Sequence, residues 1–417
     1  MKSRVVLPVL VISLILLYLS VTPLTYAQQI IVITVWDRNP LMGEIVKRFN
    51  AKMAKEGKNI RARFTLIPYA EQAERFMTAL AAGTAPDVEG IDLVLVPYFA
   101  SIGAFEDITD KYQALPYKDK LAKAMLRLGI WNGKVYALPF ANDNSALIYN
   151  VDLFKKAGIT KPPETWEELL EDAIKLTNKT EGRYGIVFAG ADPGMTMFTW
   201  LPFVWGAGGK LISDDGKRCM LCEGTAALRA LKLWVELAKK AAPPGCATYK
   251  YPDYYNAFIT GKAAMIIGGN WHLITIPHDA PTLNFSVAPI PRPANGTHSS
   301  FVGGDLIGIT KQSKHKEEAW EFIKFVHSKE AQVEVLAKHG VIPVREDFWN
   351  NIYFKKDPRW LIFTYGLKVG RCPKTPKYNL LYTPMSTMMQ NALSGKWTPE
   401  QALKWVCEQI NRILAEP

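Results

Sequence analysis

An aromatic ring set where a strand leaves its sheet can act as a flat wall for a ligand, and residues 258–271, FITGKAAMIIGGNW, are built to place one. Phe258 and Ile259 close a helical pattern and Gly261 supplies a left-handed stop. Residues 263–267 form the short apolar run of a covered parallel strand, after which Gly268 and Gly269 let the backbone turn sharply. Asn270 and Trp271 then stand at the sheet edge where ligands collect; the alternative for Trp271 is a place in the core. Signals for covalent chemistry are missing. There is no GxSxG, no HExxH and no phosphate-loop lysine, and GAGG at 206–209 lacks the spacing of a dinucleotide loop. The six histidines are scattered without metal-ligand spacing, so no catalytic residue, metal or cofactor is expected.

Five cysteines, Cys219, Cys222, Cys246, Cys372 and Cys407, are available for oxidation in an exported chain. Residues 224–240 read as one helix about 25 Å long at 1.5 Å per residue, which separates Cys222 from Cys246. Cys372 with Cys407 is the disulfide to test first. Cys407 also falls on the apolar stripe of the last helix with Leu403, Val406 and Ile410, where a buried free thiol is an equal alternative. Cys219 and Cys222 form a CxxC, but no second CxxC or nearby histidine completes a zinc set.

The elements that must position these residues alternate. Residues 30–36 read as a strand, 42–54 as a helix, 61–67 as a strand, 71–82 as a helix and 88–95 as a strand, a βαβ succession that makes a right-handed parallel sheet. Thr165 to Glu168 is a capping box that opens a helix to Leu176, and residues 316–338 and 399–415 are further helices. With 417 residues, 48% hydrophobic and 21% charged, the chain is long enough for two lobes rather than one core. Lys2 and Arg4 precede an apolar run over 5–19, and Thr25, Tyr26 and Ala27 follow, the pattern of a secretory leader or N-terminal anchor over 1–27. No cysteine follows that run to carry a lipid. The net charge of +11 raises nucleic acid as a partner, yet the basic clusters lie on amphipathic faces, as in EIVKRFNAKMAKEGK at 44–58, and the leader argues against it. Asn178, Asn284 and Asn295 open three glycosylation sequons.

Seven segments, in order, resemble the sugar-binding proteins that feed ABC importers, the maltose and trehalose type of extracellular solute-binding protein (family 1). They are AAGTAPDV at 81–88, GKVYALPF at 133–140, SALIYNVDLFKKAGI at 145–159, KPPETWEELL at 161–170, the segment at 258–271, FVGGDLIGITKQSKHKEEAWEFIKFV at 301–326 and ALSGKWTPEQAL at 392–403. The resemblance implies an α/β, two-lobed periplasmic-binding-protein-like fold of type II, with the ligand cleft between lobes joined by a multi-segment hinge. One lobe would comprise residues 28–139 and 303–340 and the other 140–302 and 341–417. Crossings would fall near 138–141, 301–304 and 341–345, with Gly303 and Gly304 suited to hinge motion.

The same resemblance places ligand-binding residues. A pyranose has an apolar face and a rim of hydroxyls, so it asks for an aromatic platform and for ionised groups that take two hydroxyls at once. Trp271 is the platform and Phe198 a second; Asp92 and Asp143 are the polar groups; Trp36, Asp37 and Arg38 end the first strand where the family often contacts ligand. At GGDLIG, Asp305 stands where related proteins can carry an aromatic. In YTPMSTMMQ, Met388 and Met389 stand where some carry another ring, and Tyr382 is offered in its place. The implied protein is a secreted, cell-surface-associated monomer, not an enzyme, that passes a carbohydrate to an ABC transporter permease and binds no nucleic acid. Two other classes stay open: a binding protein for a glycerol phosphate ester, a polyamine or a peptide, which the acid-rich set around Arg38 disfavours for an anion, and more distantly a secreted glycoside hydrolase using Asp92 and Asp143.

Overall fold

The computed structural model describes residues 29–416, so the leader expected at 1–27 lies outside the described residues. Strand β1 (Ile31–Asp37) pairs in parallel with β2 (Ile60–Leu66) and β3 (Val88–Asp92). Helices Met42–Lys55 and Gln72–Ala82 make the connections. The first shows how pattern becomes packing: Met42, Ile45, Val46, Phe49 and Met53 recur at helical spacing and are all buried, with Phe49 edge-on to Phe322 at 5.1 Å. Asp87 of the APDV segment ties this region together, its carboxylate accepting from the Thr34 backbone and hydroxyl and from Ser313.

A small hairpin, β4 (Ile130–Trp131) and β5 (Lys134–Val135), leads into β6 (Leu138–Asn150), the longest strand. Strands β7 (Met265–Gly269), β8 (Phe285–Ala288), β9 (Ser300–Ile309) and β10 (Gly370–Arg371) complete the set. Two strands run through the whole molecule. The first part of β6 pairs with β9, and from Ser145 onward it pairs with β7 and β8. β9 likewise pairs with β10 at Ser300 and Phe301, with β6 in its middle and with β3 at its end. The resulting order is β2-β1-β3-β9-β6-β7.

The wholly parallel sheet read from the sequence is therefore corrected to a mixed one. Parallel pairing holds where helices return the chain between β1, β2 and β3 and between β9 and the short β10, whereas β9 is antiparallel to β3 and β6 and β7 is antiparallel to β6. Residues 316–338 are not one helix either. The helix Lys316–Val326 stops, Ser328 caps the amide of Ala331, and short turns carry the chain to His339. The break lets the Gln332 amide donate to the carbonyls of Phe140 and Val326 and accept from the Val344 amide. The expected capping box forms at Thr165 with Glu168, and the structure adds a second at Thr398 with Gln401.

The expected Cys372–Cys407 disulfide is corrected as well. Cys407 bonds to Cys222, while Cys372, Cys219 and Cys246 are buried free thiols. The loop before helix Ala226–Ala241 packs on the last helix, Pro399–Ala415, where the Cys219 amide donates to Asn411; this brings Cys222 to Cys407 with Cα atoms 6.4 Å apart.

Candidate functional site

A cleft of about 490 Å3 opens where β1, β3 and β7 end beside the middle of β6 and the first half of β9, and six of the nine residues singled out by sequence line it: Arg38, Asp92, Asp143, Phe198, Trp271 and Tyr382. Trp271 is the best-fixed ring. Its indole N–H donates to the Tyr251 hydroxyl at 3.0 Å, and that hydroxyl meets His272 Nε2 at 3.3 Å. Burial pushes the His272 imidazole down to about 4, so the ring is neutral. Its Nδ1 sits 3.0 Å from the Gly269 carbonyl, which can only accept, so Nδ1 carries the hydrogen and Nε2 accepts from Tyr251. The chain of donors runs Trp271 to Tyr251 to His272 to backbone and leaves the indole one orientation.

The glycines before Trp271 act through space rather than through a turn. Both lie within β7, and a Cβ on Gly269 would stand 1.9 Å from the folded-back indole of Trp271. Gly261 does take the left-handed conformation expected of it, at φ 73°. Phe198 comes from the helix Pro193–Gly206, capped by Asp192, and its ring centroid lies 5.2 Å from that of Trp271. Phe301 of β9 stands 5.3 Å from Phe198 and continues the aromatic surface.

The polar group is centred on Arg38, which follows β1. Its Nη1 lies 3.2 Å from Asp92 and its Nε 2.5 Å from Asp305, and the guanidinium covers the Tyr69 ring at 4.9 Å. Burial would lower the Arg38 pKa, but the carboxylates of Asp305, Asp92 and Asp143 outweigh it and raise it, so the group stays charged. Asp143 lies opposite Gly303 in the β6–β9 ladder and uses the room that glycine leaves: a Cβ on Gly303 would be 2.1 Å from Asp143 Oδ1. Burial lifts the Asp143 carboxyl to about 7, with Arg38 opposing the shift. The site thus offers one fixed cation, an ionisable carboxyl and a paired carboxylate beside aromatic walls.

Three sequence-selected residues take other places. Side chains alternate along β1, so Trp36 and Asp37 cannot share a face. Trp36 is directed away and lines a separate hollow with Glu71, Glu74 and Arg75, which removes it from the cleft. Asp37 is fully buried behind Arg38, and burial, reinforced by Asp305, raises its pKa well above the usual carboxylate range. Asp305 is also buried and is spent on Arg38, so it positions the guanidinium rather than facing the cleft. Met388 and Met389 are core residues, and Tyr382 occupies the cleft instead, edge-on to Tyr378 at 5.3 Å.

Sequence reading missed Tyr69, Asp192, Tyr251, Phe301 and Tyr378, all of which line the cleft. Two signals were present: Asp192 before Pro193 is an N-cap pattern that faces the cleft, and the tyrosines of YPDYY at 251–255 open a helix beside the Trp271 segment.

A match to the model of bacterial extracellular solute-binding proteins covers residues 38–333, most of the chain. The chain belongs to that family. Among the relatives of this solute-binding protein, the diacetylchitobiose binding protein DasA of Streptomyces coelicolor is 25% identical over 402 residues, covering 92% of this chain and 90% of its own. An ABC transporter solute-binding protein of Thermotoga lettingae, solved bound with alpha-D-tagatose, superposes with a TM-score of 0.77 at 28% identity, covering 92% of this chain and 100% of that one. The sugar-binding protein MalE of Xanthomonas citri, 22% identical, shares the fold with a TM-score of 0.83 over 92% of this chain and 98% of its own. The architecture of this solute-binding protein is accordingly the two-lobed α/β fold expected from the resemblance.

Proposed function

We propose that this solute-binding protein captures a sugar, as a mono- or oligosaccharide, in the cleft around Trp271 and delivers it to the membrane permease of an ATP-driven importer. The observation that carries the reading is the Trp271 indole, locked by Tyr251 and His272, in one cleft with Arg38, Asp92 and Asp143. A flat ring of fixed orientation suits the apolar face of a pyranose, and charged groups beside it suit paired hydroxyls. The relatives support the same class, since one is named for diacetylchitobiose, another for arabinooligosaccharide, and a third was solved with tagatose.

Capture would proceed by closure of two lobes, 28–139 with 303–340 against 140–302 with 341–417. The strands β6 and β9, which pair on both sides of that division, and the segment at 341–345, where Ile342 bridges Asn142, would carry the hinge. Contacts from the second lobe made only in the closed form would shift the population toward the form that docks on the permease. The protein acts outside the cytoplasm as a monomer, exported by its leader and held at the cell surface; no helix among the described residues is long and apolar enough to cross a membrane.

A thermal-shift screen against mono- and oligosaccharides, glycerol phosphate, spermidine and short peptides tests the reading. A ligand at a hundred times its Kd adds about 2.7 kcal/mol, several degrees in melting temperature for a chain of this size. A shift with one sugar class supports it, and a shift with spermidine, phosphate ester or peptide alone replaces the solute. One observation favours a second reading as a glycoside hydrolase, the carboxyl of Asp143 raised to about 7 within electrostatic reach of Asp92. Turnover of an oligosaccharide by the purified protein, abolished in Asp143→Asn, would establish that reading; binding without turnover leaves capture.

A further inference from the structure

A second hollow of about 570 Å3 adjoins the cleft, and its lining has the opposite charge character. Arg127, Lys210, Arg371 and Lys374 face it with one carboxylate, Asp214. Asp214 is already committed, with both oxygens within 2.9 Å of Lys210 Nζ. Arg127 donates to the Cys372 carbonyl, and Arg127, Arg371 and Lys374 have no carboxylate partner among the described residues. Lys374 is half-buried, and its ammonium is pushed to lower pKa first by burial and then by Arg127, which marks cations crowded together without a counter-charge.

The hollow and the cleft share a wall. Arg371 is the strand partner of Phe301 in the β10–β9 pair. The Phe301 ring lies 5.3 Å from Phe198 on the cleft side and 5.8 Å from Trp205 on the hollow side. These three rings are buried and form a partition, so a ligand longer than one ring that reached both hollows would pass beside it, near Cys372, which lines the basic hollow and lies within electrostatic reach of Asp92 and Asp143 of the cleft. The carboxylates of Asp92 and Asp143 disfavour an anion in the cleft itself, so an anionic group on such a ligand has one favourable direction.

We propose that this hollow receives an anionic substituent, a carboxylate, sulfate or phosphate, of a saccharide whose neutral ring occupies the cleft, making the preferred ligand an acidic oligosaccharide. The proposal rests on the sugar reading above. Two arginines supply planar forks that match such oxyanions, and Lys374 supplies a point charge in a half-desolvated place. The ligand would be oriented by charge, acidic end toward Arg371 and Lys374 and neutral ring over Trp271.

The experiment is calorimetric titration of the mature chain with matched disaccharides of glucose, galactose and N-acetylglucosamine, each neutral and in uronic, 6-sulfated and 6-phosphorylated form. The expected result is that one acidic form binds at least tenfold tighter than its neutral counterpart. That advantage should disappear in Arg371→Gln/Lys374→Gln, whose melting temperature stays at the wild-type value, and shrink with added salt, while the neutral sugar binds wild type and variant alike. Equal binding of neutral and acidic forms, or an advantage that survives in the double variant, overturns the proposal and leaves the sugar reading standing. Binding of no saccharide at all overturns both. Free sulfate is the control for where the charge acts: it should compete away the acidic form's advantage and leave the neutral sugar's binding unchanged, and an advantage that excess sulfate does not reduce counts against the hollow as the site.

Discussion

The decisive residues do their work in pairs and chains. Trp271, the proposed platform, is held by Tyr251 and His272, so Trp271→Ala is expected to weaken sugar binding by about a hundredfold, the 2–3 kcal/mol of a lost aromatic contact. Tyr251→Phe, which keeps the ring and removes the hydroxyl, should weaken it by about tenfold; calorimetry with both variants checks this, and wild-type affinity in Trp271→Ala would remove the ring from the site. A pH effect belongs to the same scale. The Asp143 carboxyl is raised by burial to about 7, above the value it has in an unfolded chain, so the native state binds the extra proton between about pH 4 and 7. Its contribution to stability is therefore fully present below the unfolded carboxylate range and is lost as the pH rises through about 7. Asp143→Asn should gain on the order of 2 kcal/mol over wild type at pH 8 and little at pH 4, measured by denaturant unfolding. Glu89 strengthens the trend. It is fully buried beside Asp37, neither carboxyl oxygen has a hydrogen-bond partner among the described residues, and burial followed by Asp37 raises its pKa well above the usual range. Glu89→Gln should flatten part of the same slope, with Asp37, Asp143 and Asp305 left as raised acids.

At the scale of elements, the strand that ends in Gly269 fixes the indole by leaving it room. Gly269→Ala puts a methyl within 1.9 Å of the ring, so it should cost binding about as much as Trp271→Ala although position 269 is buried. An affinity unchanged in Gly269→Ala would mean the ring is mobile. The last helix is pinned by Cys222–Cys407, which closes 185 residues. A loop of that length predicts that reduction costs about 3–5 kcal/mol, seen as a fall in melting temperature with reductant. Peptide mapping should find that bond and free thiols at Cys219, Cys246 and Cys372. Amphipathic helices and capping boxes are local, so Met42–Lys55 and the box at Thr165 were legible. The partner of Cys407 and the antiparallel sense of β7 and β9 depend on which distant segments meet, and the pattern of one strand says nothing of its neighbour's direction. Trp36 failed for a local reason, since strict alternation along β1 turns it away once Asp37 is buried. Asp305 and Arg38 were both noticed, yet their ion pair across 267 positions of sequence was not readable.

The whole molecule is a two-lobed body threaded by two strands, with an aromatic and acidic cleft on one side of Phe301 and a basic hollow on the other. Under the proposals above, such a layout would make the protein a selector, with neutral rings and hydroxyls meeting Trp271 and Asp143 and charge handled apart from them. Membership in the solute-binding family was legible because seven segments spread along the chain each carry local structure that the fold reuses. The residues that line the cleft were legible only in part, because Tyr69 and Tyr378 reach it from elements whose own patterns signal nothing but helix and loop. The measurement that tests sugar capture most directly is calorimetric titration of the mature chain with a panel of mono- and oligosaccharides, spermidine and peptides at pH 7. Saturable, one-to-one binding of one sugar class, lost in Trp271→Ala at unchanged melting temperature, is the predicted result. Heat of binding from spermidine or peptide with none from any sugar would contradict it.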